Sequence, residues 1–79
     1  MQFETKTSIY DLTKDKYGAF LLKKIVVKAG HNSDVRGGET FYSKTAFIDT
    51  DDNCLCLEGM HTSPVITNLK ELQDFINSK

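Results

Sequence analysis

The stretch Asn68 to Asn77 constrains this chain more than any other. Leu69, Leu72, Phe75 and Ile76 recur at helical spacing, and Lys70, Glu71, Gln73, Asp74 and Asn77 fill the opposite stripe. Asn68 stands three residues before Glu71, the spacing of a capping box. So short a helix does not hold itself in water. Its apolar stripe therefore needs a surface to pack on, and the rest of the chain reads as strands.

Phe3 to Tyr10 alternates, with Phe3, Thr5, Thr7 and Ile9 on one side and Glu4, Lys6, Ser8 and Tyr10 on the other. This period predicts one half-buried strand. Asp11 to Gly18 is polar, ends in Tyr17-Gly18, and reads as a turn. Ala19 to Lys28 has two readings. Tyr17, Phe20, Leu21 and Ile25 fall at helical spacing, with Ala29-Gly30 as a C-cap. Gly18 and the β-branched run Ile25-Val26-Val27 favour a strand.

Gly30 to Gly38 is a loop by composition, with glycines that open positive φ. Glu39 to Asp49 holds Thr40, Phe41, Tyr42, Thr45, Phe47 and Ile48, the composition of a central strand with apolar residues on both faces. Asp49-Thr50-Asp51-Asp52-Asn53 is a turn, because Asp and Asn bond their own main chain and tolerate left-handed backbone. Cys54 to Glu58 is the returning strand of that hairpin. Gly59 to Ser63 is a connector. After it Pro64 restricts the extended Val65-Ile66 to a strand start or an edge. The expected architecture is α+β: a small antiparallel sheet of about four strands packed by a single C-terminal helix.

The 79 residues suffice for one core and one domain, 1–79. A chain this short buries about 60% of its unfolded surface, so its stability is modest. Hydrophobic residues make up 39% and charged residues 27%, which suits a globular domain rather than a disordered one. The net charge of −1 argues against a mainly electrostatic grip on nucleic acid or anionic membrane. The charge is uneven: residues 1–48 carry 8 − 5 = +3, and residues 49–79 carry 2 − 6 = −4. The longest apolar-rich stretch, Ala19 to Val27, is interrupted by Lys23-Lys24 and spans no bilayer. The N-terminus shows neither the basic nor the apolar region of a targeting signal. Two cysteines, two positions apart, form no disulfide framework, and a reducing, cytoplasmic location is expected.

Site chemistry is sparse. Cys54, Cys56, His61 and His31 are residue types that bind zinc. The one-residue gap between the cysteines does not match the paired spacing of zinc sites, and two soft side chains filling one sheet face explain them better. A strand also holds them too far apart for a disulfide. Asp49, Asp51 and Asn53 start like a calcium loop, but Cys54 stands where Gly is needed and Met60 where a bidentate Glu is needed. His31, Asp34 and Arg36 lie in the glycine-bearing loop without a recognisable nucleophile, since Ser33 has no glycine elbow. Gly37-Gly38 lacks the Lys-Ser/Thr of a phosphate loop. No enzyme activity and no cofactor are expected.

What remains is a domain that works through its surface. The first expectation is a non-enzymatic protein-binding module, an inhibitor or adaptor of the size of those that phages encode. Its partner is another protein or a second copy of itself. Contact would run through a strand edge, through His31, Asp34 and Arg36, or through the acidic tip of Asp49, Asp51 and Asp52. The alternative is a small β domain that binds single-stranded nucleic acid. Lys23, Lys24, Lys28 and Lys44 would meet the backbone, with Tyr42 stacking on a base. Lysines on exposed strands are also ordinary protection against edge pairing.

Overall fold

Phe3 to Tyr10 does not run straight. In the computed structural model, which describes residues 1–31 and 40–78, the chain doubles back between β1 (Gln2–Glu4) and β2 (Ser8–Lys14). Thr5 makes the turn. Its N–H donates to the Ser8 carbonyl at 2.8 Å, and its Oγ1 accepts the Ser8 N–H at 3.1 Å and the Thr7 N–H at 3.3 Å. A threonine hydroxyl thus replaces the glycine or proline that usually announces a reversal. The reversal places Phe3 directly opposite Tyr10, rings stacked at 5.4 Å, and both are buried. Expected on opposite sides of one strand, they share the core face of two.

Strand β2 continues through Leu12 to Lys14, into the stretch expected to turn. Leu12 is fully buried, so alternation persists beneath the polar composition. The turn itself is shorter. Asp15 Oδ1 accepts the N–H groups of Tyr17 and Ala19, and Gly18 takes φ +83°, a conformation that costs glycine little. The chain returns as β3 (Phe20–Val27), which settles Ala19 to Lys28 as strand. Ile25 is an extra residue there, because Ile9 pairs with Val26 and Tyr10 with Lys24.

The stretch from Thr40 to Asp49 is two strands. β4 (Thr40–Ser43) joins β3, and β5 (Ala46–Asp49) leaves for a second sheet. Ser43 fixes the corner. Its Oγ donates to the Thr45 carbonyl at 2.6 Å and accepts the N–H groups of Thr45 and Glu58. Strand β6 (Cys54–Leu57) pairs with β5 across the Asp49–Asn53 turn, where Asn53 is left-handed at φ 53°. β7 (Met60–His61) adds a third strand inside the expected connector.

The fold is therefore α+β, with an antiparallel sheet β1-β2-β3-β4, a three-stranded sheet β5-β6-β7 and one helix, α1 (Leu69–Asn77). Asn68 caps α1 as expected, its side chain accepting the N–H groups of Lys70 and Glu71. Such a cap contributes about 1 kcal/mol. The helix packs beside β5 and sends Leu72 and Ile76 into the core. One buried cluster draws on both sheets and the helix: Phe3, Tyr10, Leu12, Leu22, Ile48, Leu55 and Leu72 are among its members. Lys14 Nζ lies 5.2 Å from the Phe20 ring centre and 5.4 Å from that of Phe75, and it reaches the Ser78 carbonyl. This ties the end of α1 to the first sheet.

Candidate functional site

Strand β3 runs from Phe20 to Val27, with β2 along one side and β4 paired with its Phe20–Lys23 part on the other. Toward its end Ile25, Val26 and Val27 are 45%, 48% and 37% exposed, so three β-branched side chains stand in a row at the surface. Lys23 and Lys24 stand at one end of this row and Lys28 at the other.

Alternation separates the lysines expected to share a basic face. Lys23 pairs with Asp11, on the outer face with Leu21 and Tyr42, whereas Lys24 pairs with the buried Tyr10 on the core side. Lys28 Nζ pairs with Glu4 at 2.9 Å. Lys44 follows the Ser43 corner and lines a shallow groove of about 550 Å³ with Ala19, Tyr42, Ser43 and Glu58. In that groove the Ser43 hydroxyl is already held by Thr45 and Glu58.

The acidic tip is mostly engaged with itself. Asp49 Oδ1 accepts the N–H groups of Asp51 and Asp52 at 3.0 and 3.4 Å, which leaves Asp51 and Asp52 as the exposed acids. His31 is exposed, and its N–H donates to the Lys28 carbonyl. Asp34 and Arg36 lie outside the described residues.

On the second sheet, Cys54 and Cys56 fill one face and Leu55 and Leu57 the other, as alternation requires. Across the strands Cys56 sits between Phe47 and His61, with Sγ 3.3 Å from His61 Nδ1. A thiol this close to an imidazole resembles a nucleophile and its base, but its surroundings oppose ionisation. Burial pushes the Cys56 thiol above the ordinary range, and the charge of Asp49, then Cys54 and Asp52, adds to this, against one opposing hydrogen bond with the Asp49 backbone. The proton stays on sulfur. No group of three or more His, Cys, Asp or Glu among the described residues is placed to hold a metal ion.

This has a consequence for stability. The unfolded thiol ionises near pH 8.5, whereas the folded one keeps its proton to higher pH. The unfolded state then binds fewer protons, so stability falls as pH rises through that window. Urea titrations across it should show the decline, and Cys56→Ala should flatten it. Equal slopes in the two proteins would contradict this.

Comparison with family models, characterised proteins and solved structures finds no match. The geometry of the chain itself carries the functional reading. Its main feature is the exposed row Ile25-Val26-Val27 on β3, whose β-branched composition is visible in the sequence.

Proposed function

We propose that this chain is a non-enzymatic protein-binding module, inhibitor- or adaptor-like, which meets its partner through the surface of β3. The observation that supports this reading is the row of three exposed β-branched side chains, Ile25, Val26 and Val27. Contiguous exposed apolar side chains mark interaction surfaces. No helix among the described residues is long and apolar enough to cross a membrane. The module is proposed to act in a reducing compartment, with both cysteines in the thiol form. The nucleic-acid alternative has less support, because the lysines it needs lie on different faces or are paired with an acid.

Selection of random short peptides on the immobilised protein, followed by amide hydrogen exchange of each complex, tests the reading. Bound peptides should slow exchange at Lys24 to Val27. Peptides that protect only other amides would refute it.

A further inference from the structure

We infer that Cys56 and His61 form a two-coordinate site for a soft monovalent metal ion, copper(I), held in line between Sγ and Nδ1. The two atoms are 3.3 Å apart, brought together by the pairing of Cys56 in β6 with His61 in β7. In the tautomer whose Nδ1 accepts the thiol proton, the S–H···N contact already has the form of an S–Cu–N bridge, with a proton where the metal would sit. Thiolate is the ligand that selects copper(I), and imidazole suits copper as well. At bond lengths like those of zinc, about 2.3 Å to sulfur and about 2.0 Å to nitrogen, a linear bridge spans about 4 Å. The 3.3 Å contact therefore opens by roughly 1 Å on binding. His61 supplies that movement, because it is exposed and sits on β7, the outer strand of its sheet.

The surroundings select both the coordination number and the charge. Among the described residues no cluster of three or more ligating groups exists, and Cys56 faces a single imidazole. Zinc wants four ligands in a tetrahedron and stays unsatisfied here. A linear ion is complete with two. On binding, the S–H bond breaks and an S–Cu bond forms, the proton leaves to solvent, and His61 Nδ1 gives the second electron pair. Copper keeps its oxidation state, and the net charge of the site does not change. That neutrality counts beside Asp49 and Asp52, whose charges oppose a bare thiolate at this sulfur. The site also lies away from the shared core. Leu55 and Leu57 join that cluster, whereas Cys56 is buried on the opposite face of β6, between Phe47 and His61. Phe47 is 57% exposed, so copper displaces surface side chains and leaves the packing beneath intact.

Titration of the reduced protein with copper(I) tests this, with bicinchoninate as the coloured competitor and oxygen excluded. Each monomer should withdraw one copper and release one proton. X-ray absorption at the copper edge should show one sulfur and one nitrogen ligand. His61→Ala, at an exposed position, should weaken binding roughly 100-fold or more, at least what the loss of an outer-shell partner costs a metal site. Cys56→Ser should abolish binding, and Cys54→Ser should leave it unchanged. Circular dichroism would confirm that each variant is folded, and His61→Ala decides the matter if Cys56→Ser is not. Failure to withdraw copper, or binding by His61→Ala as tight as the parent's, would overturn the proposal. Equal loss in Cys54→Ser, with two sulfur ligands in the spectrum, would move the metal to the two cysteines and overturn it too. Zinc bound as tightly as copper would mean more than two ligands and reject the linear site.

Discussion

Replacing Leu72 by alanine is expected to remove much of the stability of the chain. Leu72 is fully buried in the cluster shared by both sheets. Truncating such a leucine costs about 2–5 kcal/mol, from lost burial and the cavity left behind. At 79 residues the whole domain is stable by about 4–12 kcal/mol, taking 0.05–0.15 kcal/mol per residue. With a urea dependence of about 1 kcal/mol per molar, the unfolding midpoint should fall by about 2 M or more. Asp74→Ala, on the exposed side of the same helix, should stay within about 0.5 kcal/mol of the parent. A Leu72→Ala protein that melts like the parent would mean that the helix stripe does not seal the core.

The second large effect lies at the stacked pair in β1 and β2. Phe3→Ala and Tyr10→Ala should each destabilise by about 3–5 kcal/mol, as truncation of a buried aromatic does. The milder Phe3→Leu and Tyr10→Leu changes allow the coupling to be measured. Rings in contact at 5.4 Å should give a double-mutant interaction of about 0.5–1.5 kcal/mol. If Phe3 to Tyr10 were a single straight strand, the two rings would face opposite ways and the two effects would simply add. Additive behaviour would thus reject the reversal at Thr5.

These two sites differ in how far the sequence reveals them. The helix is legible because its signals agree: a cap at Asn68, a stripe through Leu69, Leu72, Phe75 and Ile76, and polar residues between them. The Asp49–Asn53 hairpin is legible for the same reason, since Asp49 and Asn53 have the side chains that such a turn requires. The strand β3 was visible in Ile25-Val26-Val27. The two breaks were not. At Thr5 and Ser43 the chain changes direction through hydroxyls that bond nearby backbone groups, and neither site carries glycine or proline. Threonine and serine are also ordinary strand and loop residues, so period-two alternation ran through both sites unbroken.

The segment from Thr62 to Thr67 sews the two sheets together. Thr62 Oγ1 accepts the Leu55 N–H, Val65 donates to the Asn53 carbonyl, and Thr5 and Val65 form a bridge. Ile66 donates to the Glu4 carbonyl, and the Glu4 N–H reaches Thr67 Oγ1. Strand β1 is thus flanked by residues made some sixty positions later. Until that segment emerges, β1 has β2 on one side and an open edge on the other. Closure of such distant contacts is slow. The nascent chain therefore carries an unguarded strand edge at β1 during synthesis, and completion of the 62–67 segment covers it.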